Sequence, residues 1–411
     1  MSKVTQEKIK RMEIAGLNQQ PDRVPITSQI ETFAYGYGGT TIAEVKKNPF
    51  KGVAAFKKCY EDIYFDGFFE PIFVHPFAFF DGLGADSYFA SDDGVTAQHK
   101  EIAPMNGTEE EYRQLIEDPT KFFLDVINPR KFPNLNGAEV DQRKAIVNAI
   151  KGAGGFLAGL AGGGMALPIL TDTPGFMGGF IEMPYDNLFD FLRGFKGSSV
   201  DMRRHPELVI EATEAIFETY TKECEKLYSF LNALSEPPRM VKNAYNIFVK
   251  GGEPVCTRFP WFFNPTHAPS FMNQQQYEKF YWPTYKKTLE LITSYGGQTC
   301  TLLEGEWGPE KLELFKDLEK GSVILYVEND DICEAKKQIG DYQAVMGGLP
   351  ISILKAGTKR ECIEHTMKVY DACAPGGGFI YTTDKSLLST DDCNPDNLKA
   401  VNEFARVYGE Y

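Results

Sequence analysis

Two groups of acidic residues follow neighbouring apolar segments in the second half of the chain. Glu304 follows the β-prone run at residues 299–303, and Glu328 and Asp330 follow the apolar run at residues 322–327. A predicted helix separates the two runs, and strand–helix–strand order is typical of parallel α/β proteins. Because the carboxyl ends of parallel strands meet at one edge of a sheet, we expect these carboxylates to share a site.

These carboxylates support two kinds of chemistry, and the residues alone leave both open. Glu304 lies at a strand end among apolar side chains, where burial raises the pKa of a carboxyl group and suits it to act as a general acid. In the alternative, Glu304 and Glu328 bind a metal ion such as zinc, with His267 as third ligand, or else His75 or Cys300.

Side chains near other predicted strand ends are candidates for substrate binding. Two histidines follow predicted strands, although a lone histidine is more often structural, and acidic residues before a helix often only cap it. Aromatic residues make up 13% of the chain, which suits a pocket for a flat apolar ligand as well as a phenylalanine-rich core. The predicted substrate-binding residues are Tyr35, His75, Trp261, Phe263, His267 and Asp330.

Eight strands with intervening helices can be counted along the 411 residues. They are predicted at residues 23–27, 66–74, 168–171, 254–260, 299–303, 322–327, 343–346 and 376–382. An aromatic loop that contains Trp261 and Phe263 is expected after the fourth strand. The pattern predicts one (β/α)₈ TIM barrel domain over residues 1–411, with a mostly helical insertion at residues 91–166 after strand 2.

Composition excludes several classes of protein. The formal net charge of −14 argues against nucleic acid as a partner, because binding phosphates requires clustered lysine and arginine. We expect no membrane-spanning helix, which would need an apolar run of roughly 18 residues, and the first residues lack the features of a signal peptide. The eight scattered cysteines are typical of reduced thiols. These features predict a cytoplasmic protein.

Several loose motifs occur in a characteristic order. They are Arg23-Val24-Pro25, Asp330-x-x-x-Glu334-Ala335-Lys336-Lys337, Met346-Gly347-Gly348-Leu349-Pro350, and Gly376-Gly377-Gly378-Phe379-Ile380. Together they resemble the uroporphyrinogen decarboxylase superfamily over nearly the whole chain. The resemblance implies a (β/α)₈ barrel, a homodimer, and a pocket at the carboxyl ends of the strands.

The chain departs from two branches of that superfamily. The decarboxylases carry arginines after the first strand, whereas residues 27–33 contain none. The thiolate–zinc motif of the coenzyme M methyltransferases is also missing, because Leu302, Glu304 and Lys385 stand at its aligned positions. The Glu304-Gly305 pair, with Phe271-Met272 and residues 280–283, instead resembles the corrinoid-dependent demethylating methyltransferases, typified by aromatic O-demethylases.

That resemblance implies an enzyme that demethylates a small aryl methyl ether and passes the methyl group to Co(I) of a corrinoid. Since the chain lacks an Asp-x-His-x-x-Gly cobalamin motif, the corrinoid (cobalamin) is expected on a separate partner protein. Glu304 and Glu328 are the expected catalytic residues. The alternatives are another methyl donor such as a methylamine or methanol, a decarboxylase of a cyclic acid, and a non-catalytic module that binds a corrinoid or tetrapyrrole.

Overall fold

A computed structural model describes residues 2–68, 75–85, 87–235 and 261–411, with side chains for all of these except residues 223–235. The strands are β1 (Thr27–Ser28), β2 (Gly67–Phe68), β3 (Tyr88–Ala90), β4 (Ala97–His99), β5 (Met177–Phe180), β6 (Trp261–Thr266), β7 (Thr299–Leu303), β8 (Val323–Val327), β9 (Ala344–Leu349) and β10 (Phe379–Thr383).

Helices connect the strands. The α-helices are Lys3–Gly16, Phe33–Gly38, Ile42–Lys47, Pro49–Asp62, Phe77–Leu83, Glu109–Glu117, Pro119–Phe122, Asn128–Lys131, Glu139–Thr171, Pro184–Asp186, Gly194–Arg204, Pro206–Ser235, Gln274–Gln276, Trp282–Ser294, Pro309–Glu313, Ile332–Ile339, Ile351–Ala356, Lys359–Cys373 and Pro395–Tyr408. The π-helices are Phe123–Ile127, Asn187–Arg193 and Tyr277–Tyr281, and the 3₁₀-helices are Pro133–Leu135, Ala268–Phe271 and Leu314–Asp317.

Six strands form one parallel sheet in the order β10-β9-β8-β7-β6-β5, which confirms the predicted parallel α/β class. β1 and β2 pair in parallel with each other. Single bridges join Ile26 to Tyr381 of β10 and Phe68 to Gly175 just before β5. The β1–β2 pair therefore touches both edge strands of the large sheet, and closure of these eight strands into a barrel remains a prediction.

The second half of the chain follows the predicted pattern closely. β7, β8, β9 and β10 lie where the fifth to eighth strands are expected, with boundaries displaced by three residues or fewer. The first strand is shorter than expected and begins at Thr27, the last residue of the predicted strand. The predicted second strand is described only as far as Phe68, and the predicted fourth strand at residues 254–260 lies outside the described residues.

Two other predictions about the elements are wrong. Residues 168–171, expected as the third strand, are the last turn of the helix Glu139–Thr171, and the strand that follows is β5. Apolar residues there satisfy helical and strand patterns equally, and the short run cannot decide between them. Trp261 and Phe263 belong to β6 and not to an aromatic loop.

The strands separate two hydrophobic clusters. The larger one lies between the sheet and its helices. The smaller one, called here the inner cluster, joins alternate residues of β6 to β10 to Met12 and Ala15 of the first helix. Residues that alternate along a strand point to opposite faces, so the inner cluster marks one face of the sheet.

Among the described residues, one helix is long and apolar enough to cross a membrane by length and composition. It is Glu139–Thr171, in which few side chains of the apolar stretch are buried. By this criterion the expectation that the chain contains no such segment is wrong. Residues 152–171 are rich in glycine and alanine and contain no charged side chain. A single helix of this kind is weak support for a membrane span.

Candidate functional site

The carboxyl ends of β6, β7 and β8 present polar side chains on the face of the inner cluster. Trp261 and Phe263 of β6, Cys300 of β7, and Ile324 and Tyr326 of β8 belong to that cluster. One or two steps further along the same alternation stand His267, Glu304 and Glu328. The strands thus bring together the three residues that the sequence predicts as catalytic or ligating.

Glu304 has a fixed backbone and an unoccupied carboxyl group. Its N–H donates to the Thr266 carbonyl, and its carbonyl accepts from Trp307 Nε1 at 3.2 Å. Within the described part of the chain, its carboxylate makes no hydrogen bond or ion pair. Burial raises the pKa of Glu304 to about 7, with Glu328 and Asp190 adding to the rise and His267 and Lys385 opposing it. The carboxyl group can therefore hold or release a proton near neutral pH.

Gly305 supplies the turn that exposes Glu304 to the site. Its φ of 75° lies in the left-handed region, and a Cβ there would meet Ser270 Cβ at 2.6 Å. Its N–H donates to the Glu328 carboxylate. The other Glu328 oxygen pairs with Lys385 Nζ at 2.9 Å, which raises the pKa of Lys385. Glu328 is therefore held by both oxygens beside Glu304.

Two aspartates position His267 and the peptide group that follows it. Asp190 Oδ1 lies 2.8 Å from His267 Nδ1, and this hydrogen bond raises the pKa of the imidazole to about 9. Asp186 is fully buried and accepts from the N–H of Ala268 at 2.8 Å and from the Tyr281 hydroxyl. Because Asp186 and Asp190 are one helical turn apart, one segment fixes both the imidazole and the adjoining peptide. His267 is consequently an imidazolium at neutral pH.

Two further glutamates complete the site. Burial raises the pKa of Glu182 well above its usual range, and Asp186, Asp190 and Glu304 raise it further. Burial also raises the pKa of Glu31 to about 7, against a hydrogen bond from Ser386 and with a contribution from Glu304. We call the set the acid cluster. Its members are Glu31, Glu182, Asp186, Asp190, Glu304 and Glu328, with His267 and Lys385 as the cations.

Sequence reasoning missed four of these carboxylates. Glu182, Asp186 and Asp190 follow β5, a strand that was expected at residues 168–171 instead. The three acids recur every four residues just after a glycine-containing run, and this spacing is the sequence feature that could have revealed them. Glu31 follows β1 and lies within residues 27–33, whose only feature used in the sequence analysis is the lack of arginine.

The structure places Tyr35 and His75 on one small apolar cavity with about 30 Å³ of free volume. Phe77 and Phe156 also line it, and Lys46 provides a charge at its wall. The His75 ring stacks on Tyr88 at 3.8 Å between centroids, and burial lowers the pKa of His75 to about 3. Imidazole and phenol rings of this kind form a surface for a flat ligand.

The cavity does not include Glu304, and aromatic rings link it to the acid cluster. Tyr88 lies 5.0 Å from His99 between ring centroids. The charges of Asp190 and His267 influence the pKa of His99, which burial lowers. The charges of Glu182 and Asp190 likewise raise the pKa of Tyr88, after burial. The two parts of the site are therefore neighbours.

The remaining predicted substrate-binding residues lie elsewhere or are occupied. Trp261 is fully buried against Phe176 and approaches Gly16 of the first helix, at the amino end of its strand. Phe263 is buried on the inner face, four residues before His267. Both oxygens of Asp330 accept backbone hydrogen bonds, from Trp307 and Gly308, each at 2.8 Å. The cap expected from an acidic residue before a helix is provided by Asp331, at the start of Ile332–Ile339.

The proposed metal ligands do not form a metal site in the described chain. No group of three or more histidine, cysteine, aspartate or glutamate side chains within the described ranges could hold a metal ion. Glu328 is engaged by Gly305 and Lys385, and His267 by Asp190. Cys300 is buried in the inner cluster. The residues present therefore fit proton transfer better than zinc binding.

A methyltransferase from Methanosarcina mazei has a similar fold. The two structures align over 98% of both chains with a TM-score of 0.59 and 13% sequence identity. At this identity the similarity concerns the fold alone. Comparison with family models and with curated protein sequences gives no match.

Proposed function

We propose that this protein is a methyltransferase that demethylates a small aryl methyl ether and passes the methyl group to a Co(I) corrinoid on a separate protein. The observation that carries the proposal is Glu304, whose carboxyl group has a pKa near 7 and no hydrogen-bond partner among the described residues, beside an imidazolium held by Asp190. The likeness in fold to a methyltransferase agrees with the reaction class. The bridges made by Ile26 and Phe68 support the (β/α)₈ barrel that the proposal assumes.

The proton donor is central because phenolate is a poor leaving group. Attack on the methyl carbon breaks its bond to the ether oxygen, and the electron pair of that bond stays on oxygen. A proton delivered to this oxygen by Glu304 converts the leaving group into a neutral phenol. His267, whose charge lowers the pKa of Glu304, is a cationic acid that can return a proton to the Glu304 carboxylate. A corrinoid on the partner protein would supply the Co(I) nucleophile that accepts the methyl group.

The aromatic cavity provides the binding half of the proposal. Tyr35, Phe77 and Phe156 form apolar walls, and His75 is neutral because it is buried. These walls must move apart to admit a benzene ring, because only about 30 Å³ is free between them. Apolar burial and ring contacts would then stabilise the bound ring. The ether would then extend past Tyr88 toward the acid cluster.

A methylated ammonium compound is a second candidate donor. Lys385 and His267 are each paired with a carboxylate, whereas Glu31, Glu182 and Glu304 have no cationic partner among the described residues. Surplus carboxylates favour a cation and disfavour an anionic substrate. The same surplus weighs against decarboxylation of a cyclic acid, whose carboxylates would be repelled.

A panel of methyl donors tests the proposal. The protein is mixed with free Co(I) cobalamin and, in turn, a methoxyphenol, a methoxybenzoate, trimethylamine and methanol, and the spectrum of the methylated corrinoid is followed. Methylation with the methoxyaromatics alone, faster with the neutral methoxyphenol than with the anionic methoxybenzoate, is the expected result. Methylation of the corrinoid only by trimethylamine would support the ammonium donor instead of the aryl ether. Binding of a tetrapyrrole without turnover of any methyl donor would contradict both candidate functions.

A further inference from the structure

Basic residues are concentrated in two segments of an otherwise acidic chain. Residues 45–60 contain five lysines, residues 142–171 contain two lysines and one arginine, and neither segment contains aspartate or glutamate. The whole chain has a formal net charge of −14. The positive charge of these two segments is therefore a local feature, and it favours an anionic partner wherever the segments share a surface.

The two segments form helices that pack on each other. The first segment continues into the helix Pro49–Asp62, and the second lies within the helix Glu139–Thr171. A Cβ on Gly162 of the second helix would lie 3.0 Å from Cε1 of Phe50 in the first. The basic residues of both segments are consequently brought to one region of the surface.

Some of these basic residues have no anionic neighbour. Lys47, Lys144 and Lys151 are exposed, and none of them forms an ion pair with a described residue. Because Lys144 and Lys151 are two helical turns apart, they lie along one side of their helix. Carboxylates from outside the two segments pair with other cations in them, namely Lys46, Lys51, Lys57 and Arg143.

Large apolar side chains project beside the unpaired lysines. Ile150 and Leu157 of the helix Glu139–Thr171 are 65% and 61% exposed, and Phe50 is 58% exposed. Exposed apolar side chains grouped in this way mark an interaction site. We call the combined surface the docking face, and its members are Lys47, Phe50, Lys144, Ile150, Lys151 and Leu157.

The opposite side of the helix Glu139–Thr171 is committed to the rest of the protein. A Cβ on Gly152 would lie 2.5 Å from the backbone of Ala78, and a Cβ on Gly82 would lie 2.5 Å from the backbone nitrogen of Ala149. Glycine at both positions lets the two backbones approach closely. A partner of the docking face must therefore contact the helix from one side, as a surface does, and cannot surround it.

We propose that the docking face binds the surface of a membrane that contains anionic phospholipid, with the helix Glu139–Thr171 lying in the membrane plane. Helices that bind in this way insert apolar side chains between the lipid headgroups and carry lysine or arginine on their polar side. The lysine stems cover apolar surface while their ammonium groups reach the phosphates. Each basic residue close to an anionic bilayer adds to the attraction.

Other proteins fit the docking face less well. Two-fold symmetry places the same patch on both sides of an interface, so in a pair of copies Lys144 and Lys151 would face a second set of lysines. A different protein partner is disfavoured by the kind of cation present. Seven of the eight cations in the two segments are lysine, which protein interfaces avoid, whereas they favour arginine.

The two helices that carry the docking face also line the apolar cavity. Pro49 of one helix and Gly152, Gly155 and Phe156 of the other form part of its wall. A membrane bound to the docking face would lie against the outer side of that wall, next to a source of apolar aromatic compounds. Membrane binding itself does not depend on the methyl-transfer reaction, so lipid binding and turnover can be measured separately.

Flotation of the full chain with lipid vesicles tests the proposal. Vesicles that contain phosphatidylglycerol in phosphatidylcholine should bind the wild type at low ionic strength. Vesicles of phosphatidylcholine alone should bind it at least about tenfold more weakly, because they lack the anionic charge. Sodium chloride at about 1 M should release most of the bound protein, since it screens the attraction.

A triple lysine variant tests the electrostatic part. Lys47→Gln, Lys144→Gln and Lys151→Gln, combined in one chain, should weaken binding to the phosphatidylglycerol vesicles at least about tenfold. The matched control makes the same change of charge at three exposed lysines of other helices, which also form no ion pair with a described residue. These control positions are Lys355, Lys368 and Lys399.

Leu157→Glu tests the apolar part. A carboxylate at the centre of the docking face should oppose insertion and weaken vesicle binding at least about tenfold. Leu124→Glu is the matched control, since Leu157 and Leu124 are 61% and 60% exposed and Leu124 lies on a different helix. All of these variants should retain the wild-type melting temperature, because the replaced side chains are exposed.

Three results would overturn the proposal. The first is a wild type that does not bind the phosphatidylglycerol vesicles, and the second is a triple lysine variant that binds them as well as its control does. The third is protein that stays with the vesicles in alkaline carbonate, which would show a helix inserted through the bilayer. A dimer that binds no vesicles and dissociates in Leu157→Glu would instead assign the docking face to a second copy.

Discussion

Glu304 combines a raised pKa with a carboxylate that nothing in the described chain occupies. If it protonates the ether oxygen, Glu304→Gln should lower single-turnover methyl transfer by about 10²-fold or more. Glutamine keeps the side-chain volume, so the melting temperature should stay close to that of the wild type. Glu306→Gln, an exposed glutamate two residues away, is the control. Full turnover with a lowered melting temperature would show that Glu304 is only a structural residue.

Asp190 sets the protonation state of His267 through one hydrogen bond. In Asp190→Asn the pKa of His267 should fall from about 9 toward its ordinary value of 6.5. NMR titration of the imidazole measures this directly, and the signals of His205 and His365 serve as internal references. An unchanged His267 titration would mean that Asp190 does not control the imidazole.

At the scale of elements, Asp330 connects the ends of β7 and β8. Its carboxylate accepts from the N–H groups of Trp307 and Gly308, just before the helix Pro309–Glu313. Asp330→Ala should therefore lower the free energy of unfolding by about 1–2 kcal/mol. KM for the methyl donor should not change, because both oxygens are already engaged. Denaturant titration tests the structural role of Asp330, and steady-state kinetics tests a role in substrate binding. Glu310→Ala, at an exposed residue, is the control for both.

The sequence predicts the elements well where the hydrophobic period is unambiguous. β7 and β8 are continuous buried runs bounded by turn residues, so their positions and the acids that follow them could be inferred. Residues 139–171 mix glycine, alanine and short apolar runs, which fit a helix or strands separated by loops. The misplaced third strand then concealed Glu182 and the two aspartates behind it.

Contacts between distant segments could not be predicted in the same way. The pairing of His267 with Asp190 and of Glu328 with Lys385 joins residues more than fifty positions apart in the sequence. No local pattern specifies such pairs, because they depend on how strands are ordered in the sheet. The sequence could propose a cluster of acids at the strand ends but could not assign partners within it.

For the whole molecule, buried acids and a paired histidine make stability depend on pH. Glu31 and Glu304 have folded pKa values of about 7, above the unfolded value, and His267 of about 9. A raised folded pKa adds stability below the unfolded pKa, and that stability is lost as pH rises through the folded pKa. Two groups with lowered folded pKa values oppose this trend at the ends of the range from pH 6.5 to 8. They are His75, whose unfolded imidazole is still partly protonated near pH 6.5, and Lys8, whose folded pKa is about 8.

The melting temperature should therefore fall from pH 6.5 to pH 8 at constant ionic strength. Glu304→Gln should reduce the slope, because glutamine does not ionise. Differential scanning fluorimetry across this range gives both quantities. A melting temperature that rises with pH in the wild type would show that these groups are not buried as described.

The most direct test of the proposed reaction follows both products of one turnover. The protein is mixed with a methoxyphenol labelled in its methyl group and with excess free Co(I) cobalamin under anaerobic conditions. Released phenol and labelled methylcobalamin are measured together. We expect the two in equal amounts, with both lost in Glu304→Gln. Absence of labelled methylcobalamin, or release of carbon dioxide from a carboxylated donor without cobalamin, would contradict methyl transfer as the function of this protein.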